Sequence, residues 1–310
     1  MAEYLKYNRR AFILNTIKAA TFLSLGGITE SAFAAKGIKK ITILHTNDTH
    51  SRIDPFPDND PKYPGLGGVA RRMEIIQQIR KENEHVLLLD SGDIFQGTPY
   101  FNLFGGEVEF KAMSMMKYDA ATLGNHDFDN GVDGLLKQLP HASFPFINSN
   151  YRFEDSDLKG KIEPYRLFEK GGIRIGVFGL GIELKGLVDE RLTQGIQYSD
   201  PINWANKTAN HLKKENNCDL VICLSHLGYR YDQNKISDIE LAKRTREIDL
   251  ILGGHTHTFL DQPDIVKNSE EKNVLIAQTG WAGIRLGRID FLMEERGRKI
   301  AHSSSTVKIS

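Results

Sequence analysis

The hexapeptide Gly-Asn-His-Asp-Phe-Asp at positions 124–129 places a carboxamide, an imidazole and carboxylates within five positions. It follows the apolar run 120–123, which predicts a loop at the end of a buried strand. On an extended turn, Asn125 and His126 point opposite ways, so one can face a metal while the other faces a substrate. Asp129 is near enough to pair with His126 and to fix the tautomer of its ring. The alternative is an ordinary Asn/Asp-rich turn, and the other motifs of the chain favour the functional interpretation.

Asp48 and His50 form a second candidate pair, directly after the β-branched run 41–44. They alternate by two, so on an extended backbone they share one face. A carboxylate beside an imidazole is a common ligand pair for a divalent metal. His45 is interpreted as a residue that packs at the end of the strand.

Asp93 follows the predicted strand 85–89 through Gly92. The glycine gives the backbone freedom to bring Asp93 close to a bound ion. Its carboxylate can bridge two cations, because each oxygen can bind one of them. Asp90 is either a further ligand or, as we favour, a turn residue behind the site.

Three further histidines follow apolar strands. His226 comes after the run 219–224, where a packed or capping histidine is the alternative to a ligand. His255 and His257 come after the run 248–252 and alternate by two. Two imidazoles so close are either a metal site or a pair that repel each other below neutral pH, and we favour the metal site.

All these motifs begin a loop immediately after an apolar strand. The ends of such strands converge on one edge in open α/β sheets, where ligands bind. The mixture of carboxylates, imidazoles and one carboxamide suits Zn, Mn, Fe or similar ions. Roughly seven ligands are too many for one tetrahedral ion, whereas two ions about 3.5–4 Å apart accommodate them with a bridging carboxylate. The candidate ligands are Asp48, His50, Asp93, Asn125, His226, His255 and His257.

The elements that must position these residues show strand and helix patterns in alternation. Two strands joined by Gly171 and Gly172 predict a hairpin, so antiparallel pairing is mixed with the strand–helix alternation. Two packed sheets with helices outside are a plausible result. The polar segment 54–66 predicts a long surface loop, which either shapes a substrate mouth or is a plain insertion. The predicted strands also include 144–147, and residues 294–310 are expected to be polar and partly frayed.

Composition is typical of a globular chain of 310 residues. Lys plus Arg and Asp plus Glu both number 40, for a formal net charge of +0. Nothing in this balance indicates nucleic-acid binding or a polybasic membrane surface. Cys218 and Cys223 do not have CxxC spacing, so we expect buried free thiols.

Residues 1–34 have the pattern of an export signal peptide. Arg9 and Arg10 precede the moderately apolar run 11–28, and Ala32-Phe33-Ala34 predicts a cleavage site. The run around the two arginines resembles a twin-arginine signal, with an ordinary Sec signal as the alternative. The apolar run is interrupted by polar residues, so stable membrane insertion is not expected. We therefore predict a periplasmic or extracellular protein, with its catalytic domain at 35–310.

The ordered set of motifs resembles the calcineurin-like binuclear metallophosphoesterases. The segments 44–51, 91–99 and 124–129 resemble the 5′-nucleotidase branch in particular, with its relatives the 2′,3′-cyclic phosphodiesterases and UDP-sugar hydrolases. The resemblance covers about residues 41–293. It implies a four-layer αββα sandwich of two mixed β-sheets flanked by helices.

The resemblance also implies roles for individual residues. One metal would be held by Asp48, His50 and His257, and the other by Asn125, His226 and His255. Asp93 would bridge the two ions. His126 with Asp129 would be the dyad that stabilises the transferring phosphoryl group or assists the leaving oxygen. The expected activity is release of phosphate from nucleotides or other phosphate esters.

One departure concerns the C-terminal part. Nucleotidases of this type continue into a second domain, with aromatic residues that stack on the base and arginines that bind the substrate. Those residues have no counterpart here, so we expect that a separate chain supplies them or that the phosphate alone is recognised. Rival hypotheses are a thiosulfohydrolase of the same superfamily, a catalytic subunit that needs a nucleoside-binding partner, and a metal-binding protein without activity.

Overall fold

The computed structural model describes residues 37–233, 235–294 and 299–310. The predicted export signal at 1–34 lies outside these residues. Thirteen strands occur in the described part of the chain, and their bounds are β1 Ile38–Thr46, β2 Val86–Asp90, β3 Ala120–Ala121, β4 Tyr151–Arg152, β5 Tyr165–Lys170, β6 Ile173–Leu180, β7 Gln197–Tyr198, β8 Leu220–Ser225, β9 Leu250–Gly253, β10 Asp264–Lys267, β11 Asn273–Ala277, β12 Arg285–Glu294 and β13 Lys299–Lys308. The α-helices are α1 Val69–Glu82, α2 Pro99–Phe104, α3 Glu107–Met115, α4 Gly131–Gln138, α5 Pro201–Lys214 and α6 Asp238–Arg244.

The strands form two mixed sheets and a separate two-stranded ladder of β4 and β7. The first sheet has the order β13-β12-β1-β2-β3. In it, β1, β2 and β3 are parallel, whereas β12 pairs antiparallel with both β1 and β13. The second has the order β10-β11-β9-β8-β6-β5, with parallel β6, β8, β9 and β11 between antiparallel edge strands. The predicted hairpin of β5 and β6 is confirmed, and Gly171 and Gly172 both have positive φ at its turn.

Alternate side chains of each central strand pack on opposite faces of its sheet. In β2, Leu87 lies in the core between the two sheets, whereas Leu88 packs toward the outer helices. In β8, Leu224 lies between the sheets, whereas Cys223 packs in the cluster that includes α5 and α6. Each large apolar side chain buried in this way stabilises the fold by about 1.5–3 kcal/mol. Helices therefore cover the outer face of both sheets, and the predicted αββα sandwich is confirmed.

Two predicted elements differ from the structure. The run 144–147 makes only isolated bridges, in which Phe146 pairs with Ala121 and Ile147 with Glu163. The prediction of a frayed C-terminus is wrong for Lys299–Lys308, which pairs along β12. The two thiols are buried and free, as predicted. None of the described helices is long and apolar enough to cross a membrane.

Candidate active site

The predicted ligands lie at the carboxyl ends of five parallel strands, β1, β2, β3, β8 and β9. The first sheet supplies the first three of these strands, and the second sheet supplies the other two. The ends of both sheets face one another at this edge, so side chains as distant in sequence as Asp48 and His257 are brought into contact. The predicted convergence on one edge is what the structure shows.

Two clusters of side chains could each hold a metal ion, and we call them ligand groups; the first consists of Asp48, His50 and His257. The Nε2 atom of His257 is 3.3 Å from Asp48 Oδ1 and 3.0 Å from Nε2 of His50. Two imidazole nitrogens and a carboxylate oxygen so close together can share one cation. His257 is the more open of the two rings, with 39% of its side chain exposed against 7% for His50.

Asp93, His226 and His255 form the second group. The Nε2 atom of His226 is 3.1 Å from Asp93 Oδ2. Asn125 joins this group, because its Oδ1 is 2.9 Å from Nδ1 of His255. Asp93 lies between the two groups, since the same Oδ2 atom is 3.9 Å from Nε2 of His50.

Backbone carbonyls fix the tautomers of two candidate ligands. The Nδ1 atom of His226 is 2.7 Å from the carbonyl oxygen of Ser91, and that of His50 is 3.1 Å from the carbonyl oxygen of Phe95. A carbonyl oxygen only accepts, so each Nδ1 must carry a proton. In the neutral ring the lone pair is then on Nε2, the atom that points into the ligand group. This is the outer hydrogen bond that metal-bound histidines usually make.

The charges of the site favour a cation. Burial alone would lower the pKa of His226, but the carboxylates of Asp93 and Asp48 raise it to about 10. Burial opposes ionisation of Asp93, yet the imidazoles of His226 and His50 hold the pKa of this carboxyl below its usual range. The Nε2 atom of His226 is buried without a hydrogen bond of acceptable geometry, although Asp93 Oδ2 is near. A cation between these two atoms would satisfy both, so the residues fit a metal.

Backbone conformation at the site differs from the prediction. Asp48 and His50 have φ of 50° and 47°, and His255 and His257 have φ of 68° and 51°. The extended backbone expected for Asp48 and His50 is therefore wrong. Left-handed turns place both of these side chains in the first ligand group, whereas His255 and His257 fall in different groups. Such conformations cost roughly 1–2 kcal/mol per residue, and they cluster at functional sites. Asn125 is helical rather than extended, because a 3₁₀ helix begins at the next residue.

His126 and Asp129 form the predicted pair at the edge of the ligand groups. Nδ1 of His126 is 2.8 Å from Oδ2 of Asp129, and this hydrogen bond raises the pKa of the imidazole. About a third of the His126 side chain is exposed, and its ring centroid is 5.3 Å from that of His50. The pair is thus open to a molecule bound at the ligand groups.

The structure adds a role for Asp127, which sequence reasoning left without one. Its carboxylate accepts hydrogen bonds from four backbone N–H groups, which belong to Gly124, Asp93, Ile94 and Phe95. Asp127 thus ties the loop after β2 to the loop after β3. The sequence offered one indication of this role. Asp127 is a third polar side chain in the motif, and it was assigned neither to the metal ligands nor to the His126–Asp129 pair.

Two neighbouring residues have the supporting roles predicted for them. Asp90 accepts hydrogen bonds from Thr46 and Gly92 and belongs to neither ligand group, and burial raises its pKa to about 7. His45 is buried in β1, where burial lowers its pKa to about 3.

A large groove lies elsewhere on the described part of the protein. It has a volume of about 940 Å³ and is lined by residues of α5, such as Trp204 and His211, and by residues outside this helix, such as Arg246. The candidate ligands do not line it. We therefore place the chemistry at the strand ends, where the ligand groups are, rather than in this groove.

Comparisons with known proteins show the family to which the chain is similar. The family model described as calcineurin-like phosphoesterase matches residues 41–259. A snake venom 5′-nucleotidase from Crotalus adamanteus is 32% identical over 296 residues, which cover 89% of this chain and 49% of the relative. A 5′-nucleotidase of Vibrio cholerae is 36% identical over 278 residues, which cover 84% of this chain and 49% of the relative.

Solved structures show the same relationship. The 5′-nucleotidase precursor of Thermus thermophilus has a TM-score of 0.80 and 31% identity, and the match covers 87% of this chain and 54% of that one. The sulfate thiohydrolase SoxB from the same species is only 20% identical, with a TM-score of 0.71 and coverage of 87% and 56%, and shows the fold alone. The chain spans about half the length of the curated relatives named above. The match over most of the described residues shows that this chain belongs to the calcineurin-like phosphoesterase family.

Proposed function

We propose that this chain is a two-metal phosphohydrolase that releases phosphate from nucleotides, in the manner of a 5′-nucleotidase. The observation that carries the proposal is the pair of ligand groups with Asp93 between them and the His126–Asp129 pair at their edge. A site for two cations beside an acid–base pair suits transfer of a phosphoryl group to water.

The ligands divide between two ions. Asp48, His50 and His257 would hold one of them, and Asn125, His226 and His255 would hold the other. Asp93 would contribute to both. Bound there, divalent cations would supply a water of lowered pKa and positive charge opposite the phosphoryl group.

His126 assists the leaving group in this proposal. Asp129 holds Nδ1 of the ring, which leaves Nε2 to donate a proton to the departing ester oxygen. The hydrogen bond to Asp129 raises the pKa of His126 and so favours the protonated ring. The backbone N–H of His126 donates to Asp93 Oδ1 at 2.8 Å, which fixes the dyad relative to the bridging carboxylate.

Nucleotides are the substrate class that the relatives favour, because the named relatives at 31–36% identity are 5′-nucleotidases. Activity on 2′,3′-cyclic nucleotides or UDP-sugars is a further part of the proposal. The thiosulfohydrolase alternative has less support, since its structural relative shares only the fold.

The test is hydrolysis of a substrate panel by protein loaded with Zn, Mn or Fe. The panel contains AMP, 2′,3′-cyclic AMP, UDP-glucose and a sulfonated thiol, and metal content is measured on the same samples. The products are identified by chromatography, because only AMP releases phosphate in one step, whereas the cyclic nucleotide gives a monoester, UDP-glucose gives UMP and a sugar phosphate, and the sulfonated thiol gives sulfate. We expect release from AMP that requires metal, and loss of both metal and activity in Asp93→Ala. Two equivalents of metal in Asp93→Ala would contradict the bridging role, and turnover of the sulfonated thiol alone would favour the thiosulfohydrolase.

Export and a partner chain complete the proposal. We infer that residues 1–34 direct export, and Arg9→Lys with Arg10→Lys should retain the full chain in the cytoplasm if the signal is of the twin-arginine type. Unchanged export of this double variant would favour the Sec route.

If a separate chain binds the nucleoside, the protein alone should turn over AMP slowly, and addition of that partner should increase kcat/KM.

A further inference from the structure

An aromatic cluster of Phe56, Tyr63, Phe259 and Trp281 lies beside the first ligand group. It is separate from the three larger cores of the protein. Phe56 is buried, whereas Tyr63, Phe259 and Trp281 are each only partly buried. Partly exposed aromatic side chains at the edge of a site are suited to bind a flat ring.

Trp281 connects this cluster to the candidate ligands. Its ring is parallel to that of His257, at an interplanar angle of 3° and a centroid distance of 5.7 Å. Since stacked carbon atoms approach to about 3.5–4 Å, this centroid distance means that the rings are laterally offset. The imidazole therefore covers only part of the indole face. The other aromatic neighbours, Phe56 and Tyr63, make T-shaped contacts with the indole, at interplanar angles of 72° and 71°.

The turn that carries Trp281 is anchored to the metal-binding turn of β1. The backbone N–H of Ala282 donates to the carbonyl oxygen of Asp48 at 2.7 Å. The side chain of Asn47 donates to the carbonyl oxygen of Gly280 at 2.6 Å and accepts two hydrogen bonds from Thr279. A rotation of this turn would break these bonds, so the indole is held at a fixed position relative to the ligand Asp48.

Gly280 allows Phe259 to close the cluster. A Cβ atom at this position would lie 2.0 Å from the Phe259 ring, and the glycine also has φ of 84°. The long loop after β1 brings Tyr63 from the other side, where its hydroxyl is 3.5 Å from the indole Nε1. Three distant segments of the chain thus place aromatic rings around one point next to His257.

We propose that Trp281, supported by Tyr63, is the surface on which the base of a nucleotide substrate stacks while its phosphate is held at the ligand groups. This inference deepens the proposed function and rests on it. It makes the chain itself a source of base recognition, whereas the sequence led us to expect a separate chain or recognition of the phosphate alone. The loop 54–66 then shapes the substrate mouth rather than being a plain insertion.

The test compares AMP with ribose 5-phosphate, which has the same ester but no base. Stacking on an aromatic ring changes affinity by about 5- to 100-fold. We expect Trp281→Ala to lower the ratio of kcat/KM for AMP to that for ribose 5-phosphate by this factor, with unchanged metal content. Trp281→Phe should restore most of the ratio, because it keeps an aromatic face.

The chain offers a matched control, because its other tryptophan, Trp204, lies on α5 with its ring against Lys207. Trp204→Ala should leave both substrates unaffected. Equal losses for both substrates in Trp281→Ala would overturn the proposal and leave Trp281 only as support for His257. Equal kcat/KM for AMP and ribose 5-phosphate in the unmodified protein would also overturn it, while the proposed function would stand.

A binding measurement separates this inference from hydrolysis. Trp204→Phe leaves Trp281 as the sole tryptophan. Titration of this variant with adenosine should change its tryptophan fluorescence, whereas ribose should not. No response to saturating adenosine would contradict stacking, even in a protein that hydrolyses AMP. A response in a protein that releases phosphate from neither ester would support stacking and contradict the proposed function.

Discussion

At the scale of single residues, His126 is distinguished from its neighbours because it belongs to neither ligand group. His126→Asn should therefore leave the metal content unchanged and reduce turnover of AMP by roughly 10²–10⁴-fold, the usual contribution of a general acid. The measurement is kcat together with metal analysis of the same preparation. Turnover at the rate of the unmodified protein would remove the assigned role, and loss of metal would make His126 a ligand instead.

Asp127 and Asp129 allow a matched comparison within one motif. Asp127→Ala leaves four backbone N–H groups without their acceptor. A buried donor without a partner costs about 1–3 kcal/mol, so we expect the free energy of unfolding to fall by about 3 kcal/mol or more. Asp129→Ala removes a partly exposed pair and should cost less than about 1 kcal/mol. Denaturant unfolding of both variants measures this, and equal losses would contradict the structural role of Asp127.

Residue types and spacing were enough to identify which side chains gather at the site, because each followed an apolar strand. The conformation of the turns was not predictable in the same way. Asp48 and His257 have positive φ although neither is glycine, and short-range patterns favour other conformations for such residues. Contacts with distant segments hold them there, such as the hydrogen bond from the backbone N–H of His255 to the Asp48 carboxylate. Such contacts between distant segments cannot be predicted from the residues next to each turn.

At the scale of elements, the loops after β2 and β3 touch at Gly92 and Gly124. A Cβ atom on Gly92 would be 2.5 Å from the backbone nitrogen of Gly124, where no side chain can move aside. Gly186 is a matched control, because it also has positive φ but no atom within 4 Å of the added Cβ. We expect Gly186→Ala to cost about 1–2 kcal/mol, the backbone term alone. Gly92→Ala should cost clearly more and should reduce metal binding.

Thermal unfolding and metal analysis of the two variants test this contact between loops. Similar unfolding temperatures for Gly92→Ala and Gly186→Ala would mean that the positive φ alone, and not the close approach of the two loops, requires a glycine at position 92. Full metal binding in Gly92→Ala would show that Asp93 tolerates a shift of its turn.

The elements themselves were predictable to different degrees. The buried strands β2, β8 and β9 are short apolar runs and were located from the sequence, as was the hairpin at Gly171 and Gly172. The strand β13 was missed because it has no buried face, and its ladder with β12 depends on a distant partner. The run 144–147 was assigned as a strand because it is apolar, yet it is buried while making only isolated bridges. Hydrophobicity predicted burial in this case but not pairing.

At the scale of the whole molecule, the site is built across the two sheets. Asp48 and Asp93 come from the first sheet, whereas His226, His255 and His257 come from the second. Each ligand group contains residues of both sheets. The sheets are also joined by the apolar core between them and, at this edge, by hydrogen bonds such as those from Nδ1 of His226 to Ser91 and from the backbone N–H of His255 to Asp48. Bound cations would therefore connect the two halves of the sandwich at the end where the loops carry most of the backbone strain.

This arrangement predicts that metal stabilises the fold as a whole. A ligand that binds only the native state adds about 2.7 kcal/mol at a concentration of 100 times its Kd. We expect chelator-treated protein to unfold at a lower temperature than protein with excess Mn or Zn. Asp48→Asn should lose most of this difference, whereas His126→Asn should keep it, because only Asp48 belongs to a ligand group. Calorimetry of the three proteins with and without metal gives the comparison, and an unfolding temperature independent of metal in the unmodified protein would contradict a cation shared between the two sheets.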